Sequence, residues 1–283
     1  MPTIRQALNA AVSQLADSST PHLDARWLLE HVTGRTPAGL IAHDEALLTA
    51  QETERYAALV ARRAQGEPVA YLVGEAGFYG RSFYVSAAVL IPRPETEHLI
   101  EAALEAARAQ SAPRIADIGT GSGIIAVTLA AELAGVPVVA TDTSAEALAI
   151  AARNAARHAA AVAFRQGHLA APLLPDLAGT ITVLCANLPY IPDAEVPRLA
   201  VSRYEPTLAL AGGPDGLDLI RELLAQVSQV CAPDAVVLLE IGHDQGEALL
   251  ALARSVAGVT AADILRDYAG RDRVARLRIG RAR

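Results

Sequence analysis

Two groups of residues have types and spacing that could do chemistry. The first is Asp117, Gly119, Thr120, Gly121, Ser122 and Gly123, within "ADIGTGSGIIAVTLA", residues 116–130. An apolar run reaches an acidic residue, glycine follows at alternate positions, and a run of helix formers begins. Alternate glycines let the backbone turn sharply and let a ligand approach closely. The helix that follows points its N-terminus at that ligand. The second group is Asn187, Leu188, Pro189 and Tyr190, within "CANLPYIP", residues 185–192. Here an apolar run ends in a carboxamide, a carbonyl beside a proline, and an aromatic ring. Asparagine and proline are ordinary turn residues, so the meaning of this corner depends on the rest of the chain.

Several chemistries are excluded at once. The sequence has no lysine; all 24 cationic residues are arginine. That removes a lysine Schiff base and a Walker A phosphate loop. The seven histidines are scattered, with no His-Glu-x-x-His and no Cys-x-x-Cys, so no metal site is expected. The net charge is −7 and no basic cluster runs along any segment, so direct nucleic-acid binding is not expected. Cys185 and Cys231 suit a reducing compartment and form no disulfide framework. Cys185 reads as a small core residue. Polar residues interrupt every apolar run well before about 18 residues, so no membrane span is expected. Residues 1–16 lack the basic start and apolar block of a signal peptide, and the cytoplasm is the expected location.

The elements that position the two groups alternate. Apolar strand runs fall at 114–118, 137–141, 162–165, 181–186, 236–241, 258–265 and 274–279, and helical segments separate the first six. That pattern predicts an α/β fold with a parallel sheet wrapped by helices. Only "DYAGRDR" joins the last two strands, too short for a crossover, so the last is antiparallel. Residues 1–75 carry no strand-like run and read as a small helical domain. Ile4, Leu8, Ala11, Val12 and Leu15 share a helical face. Thr20 and Thr36 precede first-turn prolines as N-caps, Gly34 is a helix stop, and Thr49 with Glu52 makes a capping box. Trp27 reads as core. Aromatic and β-branched residues punctuated by glycine predict a β-hairpin connector over 76–92, leaving 93–283 as the α/β domain.

The glycine loop narrows the ligand. A dinucleotide pattern needs glycine or alanine at 124, where the chain has Ile124. Asp117-x-Gly-x-Gly-x-Gly instead resembles motif I of the S-adenosylmethionine-dependent methyltransferases. The resemblance implies a Rossmann-like seven-stranded methyltransferase sheet and S-adenosylmethionine as cofactor. That ligand has no pyrophosphate and carries a sulfonium cation, which suits an acidic residue in the loop. The next strand ends in Asp142, positioned for the ribose hydroxyls. The third ends in "RQGHL". Relatives often have an acidic residue where His168 stands. A neutral imidazole nitrogen accepts a hydrogen bond from the adenine amine, or His168 is a surface residue. Leu169 is positioned to pack on the adenine.

The corner at 187–190 resembles the Asn-Pro-Pro-Tyr motif of methyltransferases that act on planar NH2 groups. The resemblance implies that the Asn187 side chain and the Leu188 carbonyl accept both hydrogens of such a group, with Tyr190 packed on its plane. Leu188 stands where that motif has proline. The carbonyl is kept, and Pro189 still confines residue 188 to an extended conformation.

Longer segments narrow the substrate. "VLIPRPETEHLI", "SRYEPTLALAGGPDGLDLIREL" and "LLEIGHDQGEAL" resemble the release factor glutamine methyltransferases, the PrmC or HemK family. "LDARWLLEHVTGRTPAGLIAHDE" and "RRAQGEPVAYLVG" resemble that family's N-terminal helical domain, read as substrate-recognising, and "RDYAGRDRVARLRI" its closing hairpin. The resemblance implies methyl transfer from S-adenosylmethionine to the side-chain amide nitrogen of glutamine, in the Gly-Gly-Gln motif of class I peptide chain release factors. Arg93, Pro94 and Glu95, within residues 93–97, would form a loop over cofactor and substrate, or else are a solvated linker. Glu205, Pro206 and residues 212–216 would shape a further substrate-side loop. The alternatives are an adenine amino-methyltransferase acting on RNA or DNA, and a cofactor-binding interaction protein without turnover.

Overall fold

A computed structural model describes residues 1–280. The chain divides into two compact units, Met1–Glu75 and Ala76 onward.

The first unit is helical: α1 Ile4–Gln14, α2 Pro21–Thr33, α3 Pro37–Ala42, α4 Ala50–Ala64 and α5 Val69–Val73. Ile4, Ala7, Ala11 and Leu15 bury one face of α1 against Ala25, Leu28, Leu29 and Val32 of α2. Thr3 and Thr49 both close capping boxes, and Gly34 takes the left-handed conformation (φ +67°) that stops α2. Two sequence expectations fail. Trp27 is 45% exposed, because the buried stripe of α2 runs through residues 24, 25, 28, 29 and 32 and leaves position 27 outside it. Thr20 precedes α2 without capping it. Its hydroxyl donates to Asp24 Oδ1 at 2.9 Å, and the same buried carboxylate receives Ser18 and Arg63.

A hairpin follows, β1 Glu75–Phe78 and β2 Arg81–Tyr84, all but its first residue in the second unit, turned by Tyr79 and Gly80 at φ +48° and +70°. Positive φ at both central residues is the twist a two-residue hairpin requires. Then come α6 Glu97–Arg108, β3 Ile115–Ile118, α7 Ile124–Glu132, β4 Val138–Asp142, α8 Ala145–Arg157, β5 Val162–Gln166, α9 Leu174–Leu177 and β6 Ile181–Ala186. They are followed by α10 Asp218–Val230, β7 Cys231–Glu240, α11 Gly246–Ser255, β8 Val259–Arg266 and β9 Asp272–Ile279.

The sheet has seven strands in the order β5-β4-β3-β6-β7-β9-β8. β9 runs antiparallel to both its neighbours, and the other pairings are parallel. β7 begins earlier than its apolar run, at Cys231, with a register shift against β6 that absorbs Pro233 and Asp234. Strand side chains alternate between two cores. Ile115, Val183, Cys185, Val236 and Leu238 face α6 and α7. Ala116, Leu184, Ala186, Val237 and Leu239 face α10 and α11. The chain order reverses between β3 and β6, and open sheets of this kind bind ligands at such a point, beyond the strands' C-terminal ends.

Candidate active site

Strand parity decides what each residue at those ends can reach. Asp117 shares the α7 face with Ile115. Its Oδ2 accepts the Thr120 hydroxyl at 2.6 Å and the Ala126 amide at 3.1 Å, and so caps the start of α7. Its Oδ1 is buried without a hydrogen-bond partner. Burial pushes the carboxyl up to about 7, opposed by those two bonds and assisted by the nearby charge of Asp142.

The glycine loop is bonded inward. The amides of Gly119 and Thr120 both donate to the Thr141 carbonyl at 2.9 Å, and Gly121 N donates to Asp142 Oδ2 at 2.9 Å. A pyrophosphate cradle turns such amides toward the ligand; here they are spent on β4 and its end. Ser122 contributes its carbonyl, which accepts Asn154 Nδ2 at 2.8 Å. Asn154 is fully buried and also binds both backbone polar groups of Tyr84, tying the hairpin to the loop. Arg153 and Arg157 lie over the Tyr84 ring at 3.5 and 4.5 Å.

A cleft of about 340 Å³ opens at the strand ends. Of the residues singled out in the sequence, Gly119, Gly121, Asp142, His168, Leu169, Asn187, Leu188, Pro189 and Pro206 line it. Asp117, Thr120, Ser122 and Gly123 do not; they lie behind the lining and set the loop's shape. A smaller cavity of about 80 Å³ is lined by Arg93 and Tyr190 and again by Asn187, Leu188 and Pro189. Pro94 and Glu95 line neither. They begin the single 3-10 turn Pro94–Thr96 that leads into α6.

Within the cleft, Asp142 Oδ1 accepts Ser144 N at 2.9 Å, so both carboxylate oxygens are aimed by backbone amides. Leu169 has φ +48°, a left-handed conformation that branched residues rarely hold. The Thr141 hydroxyl donates to its carbonyl at 2.8 Å and locks it there. His168 Nε2 lies 2.7 Å from Glu222 Oε2 on α10. With Nε2 donating to that carboxylate, a neutral ring keeps Nδ1 as an acceptor.

The corner after β6 is braced from several sides. Gln245, nearly buried, donates from Nε2 to the Tyr190 carbonyl at 2.9 Å. Ile191 pairs with Ala211, and any side chain at Gly212 or Gly216 would collide with the Pro189 or Tyr190 backbone. Buried Glu205 holds Arg93 Nη2 at 2.5 Å and Ile91 N at 3.2 Å, which fixes residues 91–93 beside the corner. Asn187 Nδ2 donates to Thr96 Oγ1 at 3.2 Å. Tyr190 Oη stands 3.5 Å from Glu240 Oε1, and burial pushes the phenol up to about 12. Cys185 is buried in the strand, and burial raises its thiol well above the usual range.

Asn154 is absent from the residues singled out in sequence; Thr96 lies within the 93–97 loop, and Glu240 and Gln245 within "LLEIGHDQGEAL", with no individual role given to any of them. Glu240 had a readable signal: it is the carboxylate closing an apolar strand, at the sheet end where ligands bind. Among the described residues, no group of three or more His, Cys, Asp or Glu side chains is placed to hold a metal ion. Nor is any helix among them long and apolar enough to cross a membrane.

Fold and cleft define a methyltransferase of the seven-stranded class, and a methyltransferase domain family model matches residues 115–204. Solved structures share the fold at low identity. A methyltransferase from Pyrococcus furiosus has a TM-score of 0.54 at 17% identity, covering 78% of this chain and 98% of that one. The hMettl16 catalytic domain in complex with MAT2A 3'UTR hairpin 1 has a TM-score of 0.57 at 14% identity, covering 92% and 94%. A PrmC N-terminal domain family model matches residues 6–74. The release factor glutamine methyltransferase of Moorella thermoacetica is 44% identical over 96% of each chain. That of Salmonella typhimurium is 40% identical over 94% of this chain and 95% of its own. This chain belongs to the release factor glutamine methyltransferase family.

Proposed function

We propose that this protein transfers a methyl group from S-adenosylmethionine to the side-chain amide nitrogen of the glutamine in the Gly-Gly-Gln motif of class I release factors. The observation that carries this reading is the position of Asn187, Leu188 and Pro189. They are shared walls of the larger cleft and of the smaller cavity beside Arg93 and Tyr190. A residue in that position touches a cofactor on one side and a substrate side chain on the other. The relatives named for glutamine methylation lend the adenine reading and the non-turnover reading no support.

The residues present fit the cofactor. A cleft of about 340 Å³ is the size of a small-molecule site. Inward-bonded loop amides suit a ligand without pyrophosphate, and the unpartnered Asp117 Oδ1 behind the loop suits a cationic one. Asp142 would hold the ribose hydroxyls, Leu169 would pack on the adenine, and His168 Nδ1 would accept from its amine. When bound, S-adenosylmethionine supplies a methyl group on a positively charged sulfur.

The chain's own part is orientation. An amide nitrogen is a poor nucleophile but a good double donor. Asn187 Oδ1 and the Leu188 carbonyl accept its two hydrogens, which aims the lone pair at the methyl group and favours the charge that develops on nitrogen. Tyr190 packs on the flat amide. The proton leaves after the N–C bond has formed, so no strong general base is needed. Residues 93–95 border the glutamine's entry. The helical unit reads the release factor outside the Gly-Gly-Gln tripeptide. The two buried, unbridged cysteines favour a cytoplasmic location. Incubation with a class I release factor and labelled S-adenosylmethionine tests the reading; label remaining off the Gly-Gly-Gln peptide would count against it.

A further inference from the structure

The corner that carries Asn187, Leu188 and Tyr190 is anchored at its start by the sheet, where Ala186 pairs with Ile118 of β3 and Leu239 of β7. Past Tyr190 the chain has left the sheet and makes a single bridge, Ile191 to Ala211. The peptide unit between Tyr190 and Ile191 is held by both of its polar groups. Its N–H, from Ile191, donates to the Leu210 carbonyl at 3.1 Å. Its carbonyl, from Tyr190, accepts Gln245 Nε2 at 2.9 Å. Because the unit is planar, holding both ends fixes its orientation.

Gln245 is itself held in one orientation. It stands just before α11, and its side chain makes no helix cap. Its Oε1 instead accepts Gly242 N at 2.8 Å, while its own N–H donates to the Gly242 carbonyl at 3.1 Å. The turn 242–245 is thus closed twice. A backbone N–H only donates and a backbone carbonyl only accepts. The carboxamide therefore has one fit, with Oε1 on Gly242 and Nε2 on Tyr190. Nε2 also reaches the Asp215 carbonyl at 3.4 Å. Gly216 leaves room for this bond: a Cβ there would collide with the Tyr190 carbonyl and sit 2.7 Å from Gln245 Nε2. Gln245 is nearly buried, and it lines neither the cleft nor the smaller cavity.

We propose that Gln245 is a positioning residue for methyl transfer: through the Tyr190 carbonyl it fixes the peptide unit that sets where the Tyr190 ring and the Leu188 carbonyl stand. It ties the chain leaving β7 to the chain leaving β6, so acceptor and ring keep one geometry while the methyl group moves. Without it the Tyr190–Ile191 peptide swings on its remaining bond to Leu210. A misplacement of about 1 Å is enough to cost about 10²-fold in rate. This inference rests on the proposed roles of Asn187, the Leu188 carbonyl and Tyr190.

The test is methyl transfer to an intact class I release factor by the full chain, with kcat, KM and S-adenosylmethionine affinity measured separately across pH. Urea melts establish that each variant is folded at the assay pH. Gln245→Met keeps the length and removes both hydrogen bonds. Gln245→Glu keeps the acceptor for Gly242 N; ionised, it sets an oxygen against the Tyr190 carbonyl, and protonated, its O–H restores the donor. Gln245→Met is expected to lower kcat about tenfold or more at every pH, with KM and cofactor affinity within about threefold of wild type. Gln245→Glu is expected to match that loss at about pH 8 and to regain most of it, relative to wild type, toward about pH 6, since burial raises a carboxyl's pKa. Tyr190, Asp215, His243, Asp244 and Asp272 border this position in both proteins, so the ratio to wild type isolates the new carboxyl. Wild-type kcat in Gln245→Met overturns the proposal. So does a Gln245→Glu loss that stays constant relative to wild type as pH falls, or cofactor affinity falling in step with kcat, since each marks a general packing role. If Gln245→Met does not fold, the pH comparison in Gln245→Glu decides alone. An Asn187→Ala variant with normal kcat would instead remove the underlying reading of the corner.

Discussion

A methyl group placed on Gly119 would sit 2.9 Å from Cδ2 of Leu188. The glycine loop and the 187–190 corner therefore touch through a leucine that stands where the similar motif has proline. Leu188 is 4% exposed and belongs to the core cluster under α10, so the longer side chain is absorbed by packing against bare loop backbone. Gly119 also holds φ +72°, a conformation that disfavours a side chain. Gly119→Ala is expected to cost about 1–2 kcal/mol of stability from backbone strain and to weaken cofactor binding. Leu188→Pro should relieve the contact and not the strain, so the double variant recovers only part of the loss. Calorimetric titration and urea melts of the three variants check this. A Gly119→Ala protein indistinguishable from wild type would remove the contact from the explanation.

Asp142 offers the cleft two oxygens already aimed by Gly121 N and Ser144 N. Asp142→Ala should weaken S-adenosylmethionine binding by about 1.5–3 kcal/mol per hydrogen bond to the carboxylate, and Asp142→Asn by less, since one acceptor remains. The same titration calorimetry measures both. Affinity within twofold of wild type in Asp142→Ala would take the ribose away from this residue.

Asp117 and Glu240 make stability depend on pH in an unusual direction. Burial raises each folded carboxyl to about 7, whereas unfolded carboxyls lose their protons near about pH 4. Between those values the folded protein keeps protons that the unfolded chain has released. Stability from these groups is complete below about pH 4 and is lost as pH rises through about 7. Carboxylates lowered by their partners, such as Glu52, Asp176 and Asp267, act in the opposite sense and at lower pH. Asp117→Asn removes one buried charge and keeps an acceptor for Thr120. Its stability relative to wild type should therefore be greater at pH 8 than at pH 5. Urea unfolding at the two pH values reads this directly, and an equal difference at both would contradict it.

Much of this was legible because it is local. Apolar runs marked the sheet strands, the short link before β9 fixed its direction, and the Thr49–Glu52 capping box needed only neighbouring residues. Position 27 failed because a large apolar side chain was weighed by type, while the helix face that carries it points outward. The expected run at 236–241 starts later than β7 because Pro233 and Asp234 interrupt the apolar pattern and fall in a register shift. Asp117, Thr120, Ser122 and Gly123 matched a motif, yet their contacts show them shaping the loop from behind. The link from Asn187 to Thr96 spans 91 residues, and the one from Tyr190 to Glu240 spans 50. Such meetings depend on sheet register, which composition and spacing do not contain. The left-handed backbone of Leu169 is likewise imposed from outside, by Thr141.

Asn187 is where the chemistry and the fold meet. Replacing it with alanine removes one of the two acceptors proposed for the substrate amide. The expected loss is about 10²–10³ in kcat, the usual cost of deleting one hydrogen-bonding group aimed at developing charge. Cofactor affinity should change far less, because Asp142 and the loop remain. Quench-flow or label-transfer kinetics at saturating release factor measure it.

The most direct measurement is mass analysis of the Gly-Gly-Gln peptide of a class I release factor after incubation with this protein and S-adenosylmethionine. The expected result is a gain of one methylene on the glutamine side chain, formed rapidly by the wild-type chain and very slowly by Asn187→Ala. An unmodified glutamine with the wild-type chain, or a methyl group found on another residue, would contradict it.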